Sequence, residues 1–445
     1  MARRRARLDT NAITRNRFGR TITSAFFMLV APSAFFGQGP TFTVLYTFTG
    51  GESGSVPRGV IENKAGNFFG TTDAGGPNCS LRFDNCGGVF QLTGAGAESF
   101  LHVFTNPSGG LNPNGGVIQD TKGNLYGVTS GGGNSSNSGV VYKVDPSGKE
   151  TVLHVFDHTS NLGEGWEPLG NLVGDAAGNL YGATTFGGVL NCADGCGVVF
   201  RIDATGAYTV LHSFSGAPAD GQAPDGTLVL DATGNLYGTT FYGGSATGIN
   251  YGQGAGTVFK LDPNGTETIL YNFNGITDGG SPTSGLKEDR SGNFYGTAQD
   301  EGEAGGVSNN GVLFKLDPAG DFTFLYSFTG RADGGGPVGP LVLDEASGDV
   351  YGTAAYGGLD LPTCHSPWGS GCGVVFKVDP SSETETVLYS FTGLADGDDP
   401  ATGLIARKAP NSGGYQLFGT TYLGGDDSAC SSEGCGVVFQ LTFSK

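Results

Sequence analysis

Four kinds of short apolar run recur along the chain in a fixed order, each bounded by Gly, Asp, Asn or Pro, and no amphipathic helix of useful length interrupts them. The first centres on Leu-Tyr-Gly and places Gly70, Gly127, Gly182, Gly238, Gly296, Gly352 and Gly419 in register, 55 to 67 residues apart. The second, of the form GVVF, ends at Phe90, Tyr142, Phe200, Phe259, Phe314, Phe376 and Phe439. The third, of the form VLYSF, ends at Phe48, Phe104, Phe156, Phe214, Phe273, Phe328 and Phe391, and the fourth is a brief apolar run ahead of each Gly-Asn. These runs are rich in β-branched and aromatic residues, so each repeat predicts four strands.

The segments between the runs are of two kinds. Asp-x-x-Gly-Asn and Asp-Pro-x-Gly are tight hairpin turns, in which glycine takes positive φ and the Asp side chain closes an Asx-type turn. The other two connections, after TTxxGG and after VLYxF, are long and vary from copy to copy. Successive turns of a meander lie on opposite edges, so the tight turns share one face and the long loops share the other, where function is expected.

Seven four-stranded repeats predict an all-β, single seven-bladed β-propeller over residues 38–445. The chain opens with an isolated third element at 41–48 and finishes with a second element at 436–443. Pairing these two would close the ring and remove an exposed strand edge.

The pattern GNLYGTT..GG....GVVFKLD..G...VLYSF resembles the GloVer (Gloeo/Verruco) tandem repeat of choice-of-anchor exported bacterial proteins, over essentially the whole chain beyond residue 37. That resemblance implies export and a propeller, and carries no catalytic residues with it. Such proteins often end in a separate sorting segment; this chain stops two residues after its last strand pattern, which argues against surface anchoring.

Composition agrees with export. Residues 1–37 read as a signal peptide: seven arginines, then the apolar run Ser24–Gly37, too short to span a bilayer comfortably. No later segment is long and apolar enough to do so, and a secreted, periplasmic or cell-surface monomer is expected. Beyond residue 37 the chain holds 16 basic against 41 acidic side chains, a formal charge near −25 that excludes nucleic acid as a partner. The eight cysteines fall in close pairs, Cys79 with Cys86, Cys192 with Cys196, Cys364 with Cys372 and Cys430 with Cys435, and predict local disulfides. Histidines at ligand spacing are absent, so zinc is not expected at these cysteines.

Departures from the repeat nominate candidate sites. The loop entering each blade carries Asp220, Asp278, Asp333 or Asp396 ahead of a proline, with Glu164 in the same slot. These five acids either ring the channel mouth as ligand-binding groups or cap their own turns. Asp396, Asp398, Asp399, Asp426 and Asp427 in the seventh repeat are candidate calcium ligands, because a hard cation takes several oxygens. Trp166 and Trp368, with His158 and His365, stand in long loops and suit stacking against a sugar or contact with an extracellular protein. His102, His154 and His212 replace the tyrosine of other copies and read as structural. No nucleophile elbow, zincin pattern or separate catalytic triad is present. The expected function is a non-catalytic binding or scaffold propeller for a glycan or protein; a carboxylate-based polysaccharide hydrolase or lyase and a structural envelope component are the alternatives.

Overall fold

The computed structural model describes residues 39–444 except 80–85, 160–161, 247–251, 300–309, 368, 410–413, 427, 429 and 431–433; the expected signal peptide, Trp368 and Asp427 lie outside the described residues. The chain enters on β1 (Thr41–Thr47) and then builds blade one from β2 (Ser55–Glu62), β3 (Phe68–Ala74), β4 (Gly88–Leu92) and β5 (Glu98–Val103), hydrogen-bonded in that order. Blades two to six repeat the plan, their first strands being β6 (Ile118–Gln119), β10 (Trp166–Gly174), β14 (Gly221–Leu230), β18 (Lys287–Glu288) and β22 (Gly335–Leu343). Blade seven takes β26 (Ile405–Lys408), β27 (Tyr415–Thr420) and β28 (Val437–Phe443) from the end of the chain, and its fourth strand is β1, antiparallel to β28 with Thr41 opposite Thr442. The protein is thus an all-β seven-bladed propeller of four-stranded antiparallel sheets, with helix confined to three-residue 3-10 turns among the described residues.

The repeat's conserved letters have local causes. In "DATGNLYG", Asp231 Oδ1 accepts the backbone N–H groups of Thr233 and Asn235 at 2.8 and 2.9 Å, while Oδ2 accepts Asn235 Nδ2 at 2.7 Å and the Tyr237 hydroxyl at 3.1 Å. Burial opposes ionisation there, yet those donors outweigh it and draw the carboxyl down to about 2. The next glycine of the motif is required by space rather than by φ. A Cβ on Gly238 would lie 2.7 Å from Phe259 Cζ, and all seven Leu-Tyr-Gly glycines meet the aromatic ring of the neighbouring strand in this way.

Between blades, the last aromatic of one outer strand packs edge-on or tilted against that same ring of the next blade. The pairs run Phe48–Phe90, Phe104–Tyr142, Phe156–Phe200, Phe214–Phe259, Phe273–Phe314, Phe328–Phe376 and Phe391–Phe439, with centroids 4.9 to 5.5 Å apart. Contacts of this geometry are worth about 0.5–1.5 kcal/mol each beyond the area they bury.

A second joint repeats nearer the axis. Val56, Asn112, Glu167, Ala223, Ser281, Gly336 and Asp399 each precede a proline and hold φ between 52° and 60°. Their N–H groups bond, at 2.8 to 3.3 Å, to the carbonyls of Cys435, Cys86, Ser138, Cys196, Ala255, Asn310 and Cys372 in the preceding blade. Proline pushes the preceding residue out of the right-handed region. The inter-blade hydrogen bond then holds it left-handed, against a cost of roughly 1–2 kcal/mol for a non-glycine residue. All four expected disulfides form, Cys79–Cys86, Cys192–Cys196, Cys364–Cys372 and Cys430–Cys435. Each ties a long loop to the cysteine whose carbonyl serves this joint.

Candidate functional site

A cavity of about 690 Å³ occupies the axis of the propeller, within the usual range for a small-ligand pocket. It is lined by the first strands of blades one, three, four and six, by the segments just ahead of the first strands in blades two, five and seven, and by the ends of several second strands, where the chain leaves for the long loops. Glycines of its wall crowd closely together. A Cβ on Gly115 would lie 2.1 Å from the Gly170 carbonyl oxygen, and one on Gly339 would lie 2.2 Å from the Gly403 nitrogen.

Two offsets in the repeat face this space. The residue immediately after the joint proline is Arg58, Asn114, Leu169 and Asp225 in blades one to four, and Thr283, Val338 and Ala401 in blades five to seven; all seven line the cavity. No two are alike. The residue three places after the Leu-Tyr-Gly glycine is Asp73, Ser130, Thr185, Phe241, Gln299, Ala355 or Tyr422, again seven different side chains, and the last four line the cavity. A frame that repeats its turns, glycines and aromatics therefore varies at these two offsets, while one place beyond the first of them Gly59, Gly115, Gly170, Gly226 and Gly339 keep glycine in the lining.

The lining is chemically asymmetric. Val338, Ala355 and Tyr356 are buried together with Ala401 packed on them, giving an apolar wall across blades six and seven. Beside it Arg58 donates to the Tyr422 hydroxyl and, at 3.0 Å, to Asp73 Oδ2, with its guanidinium 4.5 Å from the centroid of the Tyr422 ring. The Asp225 carboxylate in blade four accepts the Gly226 N–H at 2.7 Å, and burial pushes it up to about 6. The amides of Asn114, Asn171 and Gln299 fill the intervals.

The described residues nominated from the sequence lie elsewhere, and none lines the cavity. Asp278, Asp333 and Asp396 accept the hydroxyls of Tyr271, Tyr326 and Tyr389 at 2.7 to 3.0 Å together with backbone N–H groups of their own turns. Asp220 accepts Ser215 N and Oγ at 2.7 and 3.0 Å, and Glu164 accepts the Asp157 N–H at 2.9 Å. Their loops do lead to the first strands, but the carboxylates turn back onto the outer strand of the preceding blade. Trp166 stacks on Phe186 at 4.5 Å and meets His158 at 5.1 Å, while His158 Nδ1 lies 2.7 Å from Ser138 Oγ.

The seventh-blade acids are spread over separate partners. Asp396 serves Tyr389 and Thr392, Asp426 caps Ser428 of its own turn at 2.9 Å, and Asp398 accepts the His365 N–H. Asp398 and Asp399 are 0 and 2 % exposed, and each keeps one carboxylate oxygen without a hydrogen bond. Among the described residues, the group whose ligand atoms lie within 4.8 Å of one another is His212, Asp220 and Glu267, not the seventh-blade set. The cavity positions themselves escaped the sequence reading. Their signal is variation at two fixed offsets inside constant motifs, visible only once the copies are aligned past proline and past glycine.

Fold and cavity together define a seven-bladed propeller with an axial cavity lined by residues of all seven blades. A family profile described as the Gloeobacter/Verrucomicrobia repeat matches residues 33–251 and 240–445, and the chain belongs to that family. No curated protein matches the sequence. Among solved structures, a fungal alcohol oxidase of the AA5 family in complex with copper is 13% identical, with 91% of this chain and 76% of that one covered and a TM-score of 0.54. An oligogalacturonate lyase from Vibrio parahaemolyticus is 12% identical over 91% of this chain and 98% of that one, with a TM-score of 0.48. At such identities the likeness concerns the fold alone.

Proposed function

We propose that the chain is an exported, non-catalytic binding propeller that holds a glycan in its axial cavity, entered from the long-loop face. The observation that carries this reading is the pair of offsets at which seven otherwise similar repeats all differ, the first lining the cavity in all seven blades and the second in four. A purely structural scaffold has no use for such variation. The mixture of amides, threonine hydroxyls and aromatic rings suits a ligand with many hydroxyls and apolar ring faces, and the cavity's size suits one or a few sugar residues. Four disulfides and the reading of residues 1–37 support an oxidising, extracytoplasmic location.

The test is a glycan array probed with tag-free protein, followed by titration of the best hit against Phe241→Ala and Gln299→Ala. Both variants should weaken binding at least tenfold, which is about 1.4 kcal/mol, with little change in melting temperature. Failure to retain any glycan, or equal affinity in both variants, overturns the reading.

Asp225 favours one second reading, a glycan-cleaving enzyme. A buried carboxyl holding its proton to about pH 6 beside a sugar-sized cavity is what a general acid requires. In that case reducing ends or unsaturated products appear on incubation, the rate falls as pH rises through about 6, and Asp225→Asn abolishes it.

A further inference from the structure

At the rim, each blade joint brings together a histidine or tyrosine from one outer strand, a residue from the connecting loop, and the first or second residue of the next outer strand. At most joints the third place is blocked or one partner is missing. His154 faces Glu164 but has Tyr208 stacked on its imidazole at 3.9 Å; Tyr271 and Tyr389 have Phe322 and Phe42 stacked at 4.4 and 4.0 Å. His102 faces Glu150 at 3.5 Å, with Gly109 in the loop position, where a Cβ would meet the Glu150 carboxylate. Between blades three and four, all three places carry metal-ligating groups: His212 on β13 (Tyr208–Ser213), Asp220 in the loop, and Glu267 on β17 (Glu267–Asn272).

Their geometry is not that of a hydrogen-bonded triad. His212 Nε2 lies 3.7 Å from Asp220 Oδ2 and 3.6 Å from Glu267 Oε2, beyond hydrogen-bond reach. Two ligands held at 2.0–2.1 Å on a tetrahedral cation are themselves roughly 3.4 Å apart, close to both separations. Buried polar atoms are normally paired, yet His212 Nε2 and Glu267 Oε1 are buried here with no hydrogen-bond partner. Ser215 and Gly221 donate to Asp220 and fix its orientation, the kind of support metal ligands receive from their neighbours. Two carboxyl groups and an imidazole thus converge with their ligand atoms within 4.8 Å of one another. The three side chains remain 11 to 18 % exposed, so water has access to complete the coordination.

We propose that His212, Asp220 and Glu267 form a divalent-cation site that fastens blade three to blade four. One imidazole nitrogen and a set of three protein ligands suit zinc or a similar transition metal rather than calcium, which takes six to eight oxygens.

The experiment is metal analysis and zinc titration of tag-free protein, with melting temperature as a second readout. Wild type should bind one equivalent of zinc and melt higher with it. His212→Tyr, which installs the residue found at Tyr271, Tyr326 and Tyr389 and so keeps a side chain the frame accepts, should lose that equivalent or bind at least tenfold more weakly. Tyr326→His should complete the corresponding set with Asp333 and Glu385 and raise the stoichiometry to two. Absence of zinc binding by wild type, unchanged binding by His212→Tyr, or a stoichiometry of one in folded Tyr326→His would overturn the proposal.

Discussion

Asp399 meets opposing demands at one residue: it holds φ +56°, is 2 % exposed, and lies beside the fully buried Asp398. Burial first, and the neighbouring Asp398 charge second, push its carboxyl up to about 7, with Arg58 pulling the other way. A carboxyl raised in the folded state binds its proton more tightly there than in the unfolded chain. Stability from this residue is therefore present at low pH and is lost as pH rises from the ordinary carboxylate value to about 7. Asp399→Asn keeps a side chain tolerant of left-handed φ and removes the charge. We expect the variant to match the wild type near pH 4.5 and to exceed it at pH 7.5 by on the order of 1–3 kcal/mol, as read from urea midpoints at the two pH values; a parallel pH profile for both proteins would refute this. Asp231 titrates in the opposite direction because hydrogen-bond donors surround it. The letter Asp alone does not say which: of the candidate calcium ligands Asp396, Asp398, Asp399, Asp426 and Asp427, the described Asp396, Asp398 and Asp426 each accept a different set of donors.

Strands and tight turns were legible in advance because they depend on neighbours a few residues away: Asp231 with Asn235, or Gly238 under Phe259. The period repeats such local arrangements seven times, and repetition removes noise. What was not legible depends on direction. Pro224 and Asp225 are consecutive letters, yet one packs against Gly197 of the preceding blade and the other faces the axis. For the loop acids the sequence leaves open a ring at the channel mouth or caps on their own turns; Tyr271, Tyr326 and Tyr389 donate to three of them, which also accept N–H groups of their own turns. The strand pair itself offers a test. Gly238→Ala puts a methyl 2.7 Å from Phe259 Cζ and 2.8 Å from Leu228 Cδ2, and should cost about 1–3 kcal/mol by overpacking. Thermal melts should show that loss partly restored by Phe259→Leu in the double variant; a Gly238→Ala protein as stable as wild type would contradict the packing described.

Across the whole molecule, blade seven is assembled from both ends of the chain, with Val44 opposite Phe439 and Thr47 opposite Val437. Phe42 of the same β1 strand stacks on Tyr389 of blade six. Removing residues 38–50 should expose β28 as an edge and strip that aromatic contact, giving a markedly lower and broader unfolding transition by calorimetry. Unchanged cooperative melting would show that the ring does not depend on this strand. The proline joints carry a different consequence at this scale. They align successive blades through backbone hydrogen bonds and a proline ring, which pay no attention to the side chain one residue further on. Blade alignment and cavity lining thus occupy separate letters of each repeat. The propeller is in this sense a modular register whose inward positions selection, or an engineer, can rewrite one at a time without reopening the question of how the chain folds.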